Sequence, residues 1–479
     1  MKRWPIIIGV TLWFVFSSGA QGPPNFIIIF TDDQGYEDLG CFGSPKIKTP
    51  NIDRMAAEGI RFTSFYAAPF CGPSRAALLT GCYPPRMHLA FNHNPHAKTG
   101  LNHDEITIAE VLKPRGYATM CIGKWHLGDH AQFLPPHHGF DHFYGLPYSN
   151  DMWPLNPRMP LGDPPDPRHP AIKERVKLTG FANSDRPLQP NQDFSVPLPI
   201  YRGLSILGVN TDQTRLTGDY TREALRFIED NKDQPFFLYL AHNMPHVPLF
   251  VSDSFLGKSE RGLYGDAIEE IDWGVGQILR KLKELNLDAN TLVVFTSDNG
   301  PWLQYGIDGG SAGPLRAGKG TTYEGGMRVP TIMRWPGKIP AGRTTDQVAA
   351  TIDLLPTFAR LAGTQPPGDR VIDGRDIWPL MSDPAAQSPH ETFYYFGGSR
   401  GADGAPSLRG IRAGNWKLHF RRRGGPLRGF ELYNLKTDVG ETQNLIDQRP
   451  QIAARLEAQA KAFREEFNQN RRPIGRVVD

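Results

Sequence analysis

Asn25–Gly35 reads NFIIIFTDDQG, an unbroken apolar run that stops at a threonine, two aspartates and a glycine. A run without alternation suits a strand buried on both faces, as in a parallel sheet covered by helices. The same plan returns more than 250 residues later in TLVVFTSDNG, Thr291–Gly300. If the two strands are neighbours, Asp32 and Asp33 at the end of one meet Asp298 and Asn299 at the end of the other. Three carboxylates and an amide oxygen make a hard, oxygen-only donor set, suited to Ca²⁺ or, second, Mg²⁺, whereas zinc favours His and Cys. Taken singly each motif is also an ordinary acidic turn, because Asp, Asn and Gly are common turn residues. The repetition is what points to a site.

Working outward, the period changes between these strands. NIDRMAAEGI (51–60), ITIAEVLKPRG (106–116), TREALRFIEDNK (221–232) and AIEEIDWGVGQILRKLKEL (267–285) carry apolar residues at helical spacing, and FFLYLA (236–241) is another short continuous run. Strands alternating with helices predict an α/β fold with a largely parallel sheet and functional residues at the carboxyl ends of the strands. Residues 151–200 hold eleven prolines and read as a long irregular surface excursion, extending towards Asn210 and walling a substrate cleft. After Asp383 the texture becomes ETFYYF, RGIRAGNWKLHF and FELYNL, followed by an amphipathic stretch with Ile452, Leu456, Phe463 and Phe467 on one face. This predicts a catalytic domain over 21–383 and a smaller antiparallel sheet with a helix over 384–479.

The first 20 residues have a basic tip, an apolar run from Ile6 to Phe16 and small residues before Gln21, the pattern of a secretory signal peptide cleaved after Ala20. The apolar run is shorter than the roughly 20 residues needed to span a bilayer. The formal charge of +3 falls to +1 without Lys2 and Arg3, so nothing in it points to nucleic acid. With 39% hydrophobic residues the chain is neither disordered nor fibrous. Export would place Cys41, Cys71, Cys82 and Cys121 in an oxidising compartment, yet four cysteines are too few for a disulfide scaffold. If Cys71 has another task, one bridge at most remains, and its pairing is open.

PFCGPSRAALLTG, Pro69–Gly81, places Cys71 at the mouth of a predicted helix, with Pro73 in its first turn and Arg75 one turn on. The helix dipole favours an anion there. A lone thiol is more often inert and buried. His88, His93, His96 and His103 crowd one segment without a zinc spacing and read as a polar loop near the cleft.

CGPSR followed by AALLTG resembles the signature of the formylglycine-dependent sulfatases, whose C-x-P-x-R cysteine is oxidised by a formylglycine-generating enzyme to an aldehyde. The resemblance runs from about Asn25 to Leu445 and takes in TDDQGYEDLGCFG, TPNIDRMAAEGIRFTSFY, GKWHLG, GLPYSND, MPHVP, SDNGP, GKGTTYEGGMRVP and ELYNL. Within the family it most resembles the arylsulfatase A and N-acetylgalactosamine-6-sulfatase branch. It implies an alkaline-phosphatase-like fold and hydrolysis of a sulfated saccharide or aryl sulfate. It also implies metal ligands Asp32, Asp33, Asp298, Asn299 and the diol oxygen of residue 71, with Arg75 holding that diol. Lys124 and Ser149 correspond to sulfate contacts, and His126 to the acceptor of the diol proton. Lys319 and His246 correspond to the groups that bind sulfate and protonate the leaving oxygen, with His242 a lesser possibility for His246. The hydrated aldehyde attacks sulfur with one hydroxyl and expels sulfate with the other, which a thiol or serine lacks. A phosphate or phosphonate ester hydrolase of the same fold, or a catalytically silent binder of sulfated glycans, are the competing expectations.

Overall fold

The computed structural model describes residues 22–89, 91–156, 167, 195–400, 406–421 and 427–478. The expected signal peptide and most of the proline-rich excursion lie outside them.

The apolar run that opens the fold does so because both of its faces are covered. Asn25–Thr31 is a strand with every residue buried. Ile27 and Ile29 pack into one core with the helices Pro50–Ala57, Leu216–Asp230 and Leu263–Glu284. Phe26, Ile28 and Phe30 face the opposite core, built on the helices Cys71–Thr80, Ile108–Leu112 and Leu354–Leu361. A ten-stranded sheet lies between these layers, in the order 343–345, 60–62, 331–334, 291–297, 25–31, 236–241, 118–124, 142–146, 199–202, 205–209. The five strands from 291–297 to 142–146 run parallel, and one antiparallel strand adjoins them on each side, 331–334 and 199–202. This is the mixed, largely parallel α/β architecture expected.

Register decides the site. Thr31 pairs with Ser297, so Asp32 and Asp298 leave adjacent strands at the same level. On the far side Gly123 approaches its neighbour so closely that a Cβ would lie 1.9 Å from the Ala241 carbonyl oxygen, and its φ of +96° suits glycine. This tight passage delivers Lys124 to the same end of the sheet.

The excursion departs from expectation at its end. Pro199–Arg202 and Ser205–Val209 form a hairpin that adds two antiparallel strands to the sheet. Pro199 is the first residue of its strand, where proline is tolerated, and Gly203 turns the chain with φ of +59°.

The strands 392–400, 406–413, 416–420 and 429–434 form the expected small antiparallel sheet, covered by the helix Pro450–Gln469. Ile411, Leu418 and Leu432 pack with Leu456, Ala460 and Phe467, with Ile452 and Phe463 partly buried beside them. That cluster also contains Tyr66, Ala77 and Ile352, so the small sheet shares its core with the Cys71 helix. Beyond the helix the chain returns, and Gly475–Arg476 pairs with Thr99–Gly100.

Candidate active site

Phe70 is extended, and the helix begins at Cys71 and stops at Gly81, whose left-handed φ of +69° lets its N–H reach the Ala77 carbonyl. All ten helical residues are buried. Ser74 Oγ accepts from Ala68 N at 3.2 Å, tying the preceding chain to the helix, and Asn92 Oδ1 accepts from Gly72 N at 2.8 Å. Cys71 therefore stands on a rigid helix mouth aimed at the strand ends.

Around it the separate motifs converge. Cys71 Sγ lies 3.2 Å from Asp32 Oδ1 and 3.9 Å from Asp33 Oδ1. Arg75 donates to Asp298 Oδ2 at 2.9 Å and to the Lys124 carbonyl at 2.7 Å, with Asp32 Oδ2 at 3.6 Å. Lys124 donates to Asp32 and, at 3.1 Å, to Ser149 Oγ. Lys319 Nζ lies 2.7 Å from Asp33, and His246 Nε2 lies 3.5 Å from the same carboxylate. Asn299 donates to Asp33 Oδ1 at 2.7 Å. His126 Nε2 meets the His93 carbonyl at 3.2 Å. The expected residues thus meet in one cluster, apart from His126, which is buried with its ring on the His93 carbonyl, and His242. His242 is buried beside Tyr220, their ring centroids 6.2 Å apart.

Three carboxylates face three cations. Burial alone would raise Asp32, but Lys124 first, then Arg75 and Lys319, hold it well below the ordinary carboxylate range. Burial lifts Asp298 to about 7, with Asp32 adding to the rise. Burial also raises the Cys71 thiol, and Asp298 and Asp32 push it further the same way. His126 is held neutral by burial and then by Lys124 and Arg75; His246 is held neutral by burial and then by Lys319.

The donor chemistry fits a divalent cation. Asp32, Asp33, Cys71 and His246 place one ligand atom each within 4.8 Å of the others. Asn299 directs its amide nitrogen to Asp33 and the Gly300 carbonyl, which leaves its buried Oδ1 without a partner among the described residues. Among the described residues the His88–His103 segment contributes to no metal cluster, and all four cysteines are free.

Some contributors gave no sequence signal. Trp302 lies 4.2 Å beneath Lys319 Nζ and 5.4 Å from the His246 ring, walling the site next to SDNGP. An open groove leads away past Phe70 and Gly320, neighbours of Cys71 and Lys319, towards Tyr323, Arg409, His419 and Arg421 of the small sheet. Asn92 and His93 act through an amide and a carbonyl, which no spacing rule reveals.

Residues 24–364 match the Sulfatase family model, and residues 318–466 match the model described as N-sulphoglucosamine sulphohydrolase, C-terminal. The chain is 39% identical to arylsulfatase A of Bos taurus, across 93% of this chain and 87% of that protein. It is 39% identical to N-acetylgalactosamine-6-sulfatase of Homo sapiens, across 84% of this chain and 73% of the relative. The solved structure of Ps i-CgsB in complex with k-i-k-neocarrahexaose is 32% identical with a TM-score of 0.77, covering 94% and 93% of the two chains.

Proposed function

The chain belongs to the sulfatase family and is a sulfuric ester hydrolase of alkaline-phosphatase-like fold, and on that premise we propose that it is an exported, formylglycine-dependent enzyme acting on sulfated saccharides. The observation that carries this reading is Cys71 at a helix mouth in contact with Asp32, whose carboxylate also receives Lys124. Asp32, Asp33, Asp298 and Asn299 would hold one Ca²⁺, with Mg²⁺ the weaker fit. When bound it supplies Lewis-acid stabilisation of charge on the sulfate oxygens.

The remaining steps fall to the chain's own residues. Residue 71, converted to the aldehyde and hydrated, presents two hydroxyls, and Arg75 keeps them aimed from the next helical turn. One hydroxyl oxygen attacks sulfur. Lys124 and Ser149 hold the sulfate group, so charge developing in the transition state meets preformed donors. Lys319 and His246 face the leaving oxygen, and its proton comes from this side. His126 then takes the proton of the second hydroxyl; the carbonyl reforms and sulfate departs. The groove past Phe70, Arg409 and Arg421 suits a leaving group longer than a phenol, and the relative Ps i-CgsB was solved with k-i-k-neocarrahexaose.

Peptide mass analysis of residue 71 in the exported protein, with parallel assays on sulfate and phosphate monoesters, tests the reading. The aldehyde mass and a preference for sulfate are expected. An intact thiol in active protein would overturn it. Chelation should remove activity and Ca²⁺ restore it.

A further inference from the structure

The loop behind the Cys71 helix reaches the site through two contacts and is braced internally by a third. Asn92 Oδ1 receives Gly72 N, the His93 carbonyl meets His126 Nε2 at 3.2 Å, and Thr99 Oγ1 lies 3.3 Å from His93 Nδ1. From outside, the same loop is held by a segment almost 380 residues away in sequence. Gly475 and Arg476 pair with Gly100 and Thr99, and Val477 N donates to the Lys98 carbonyl at 3.0 Å. Arg472 N donates to the Arg86 carbonyl at 2.6 Å, and its guanidinium grips the buried Glu105 at 2.7 and 2.8 Å. The Arg472 carbonyl in turn meets His88 Nδ1 at 2.6 Å. Contacts therefore run without a break from Arg472–Val477 through Thr99 and His93 to His126.

That connection ends on Nε2 of His126, the ring nitrogen opposite the one that would take the proton. Because His126 Nε2 faces a carbonyl, it carries the hydrogen, and Nδ1 keeps the lone pair. Nδ1 is buried and meets no partner among the described residues. We propose that Arg472–Val477 is a positioning strap which, by pairing with Thr99–Gly100, fixes the His93 carbonyl and so sets the tautomer and aim of His126 for sulfate release. This rests on the roles given above to residue 71 and His126. In the release step His126 Nδ1 takes the proton of the free hydroxyl on the sulfated diol, and that O–H pair becomes the carbonyl π bond. The carbon–oxygen bond to sulfate breaks and its electrons leave with the sulfate dianion. The strap therefore acts on the second half of the cycle and not on the attack at sulfur.

Gly475 has no room for a side chain: a Cβ would lie 2.9 Å from Asn102 Cα, Leu101 O and Phe133 Cε1, so Gly475→Val lifts the strap. Thr99→Val keeps the main-chain pairing and removes only the hydroxyl facing His93. With full-length converted protein and an aryl sulfate, each variant should release a stoichiometric burst of phenol at the wild-type rate. Steady-state turnover should then be about three- to thirty-fold slower, and quenched samples should contain the sulfated residue-71 peptide. Unchanged turnover, or slower turnover without burst and adduct, overturns the proposal. If Gly475→Val does not fold, Thr99→Val decides by the same criteria. His126→Ala separates the two levels of inference. If it accumulates no adduct, the assignment of His126 fails and the strap with it; if it does and the strap variants do not, only the strap falls.

Discussion

At the scale of single residues, the site is a balance of buried charges in which geometry matters more than charge count. Arg75 reaches Asp298 and the Lys124 carbonyl at once because its guanidinium is a planar fork. Lysine preserves the charge and cannot span both. Arg75→Lys should therefore lower kcat/KM about 100-fold, the scale of losing one preorganised donor, with a circular dichroism spectrum like that of the wild type. Cys71→Ala removes the attacking group from a helix whose remaining residues are packed on all sides. It should abolish turnover of an aryl sulfate and leave the melting transition intact; full retained activity would refute the assignment. The histidines differ in how far sequence identified them. MPHVP pointed to His246 ahead of His242, whereas the group facing His126 Nε2 is a backbone carbonyl, an acceptor about which side-chain identity carries no information.

At the scale of elements, the strand Ala118–Lys124 brings Lys124 to the site only because Gly123 can cross under the Ala241 carbonyl. Gly123→Ala must relieve a 1.9 Å contact at a φ of +96°. The expected cost is about 2–4 kcal/mol of stability from strain and overpacking, read as a lowered denaturant midpoint at unchanged m. Sulfate turnover should fall further than stability accounts for, since Lys124 moves with the strand. The periodic helices were legible because their apolar faces repeat with the backbone's own period. The hairpin 199–209 was not, because its two short strands follow a proline-dense stretch whose composition favours irregular structure.

At the scale of the whole molecule, the small sheet is joined to the catalytic core by buried charge as well as by apolar packing. Lys417 Nζ sits 2.8 Å from Glu324 and 2.9 Å from Glu441, with all three side chains fully enclosed. Burial would raise Glu324, but Lys417, Arg328 and Arg412 outweigh it and hold the carboxyl below its ordinary range. A depressed carboxylate contributes stability above its unfolded pKa, near 4.3, and loses that contribution as pH falls below this value. Lys417→Met should cost about 3–5 kcal/mol at neutral pH, because two buried carboxylates lose the cation they share. The deficit relative to wild type should shrink as pH drops through the acid range, which urea titrations at several pH values would measure. A deficit constant with pH would show that the loss comes from packing alone.

The chain's own order of residues determined the buried strands, the helical periods, the place of Cys71 at a helix start and the pair of acidic strand ends. Each of these is local, set by backbone geometry and by which side chains avoid water within a dozen positions. Only the tertiary structure decided that Thr31 stands beside Ser297, that Trp302 backs Lys319, that the small sheet shares a core with the Cys71 helix, and that Arg472–Val477 reaches the loop holding His126. Those are contacts between distant segments. Their formation depends on closing long loops and filling one common core, a condition on the whole chain that no short window of sequence contains.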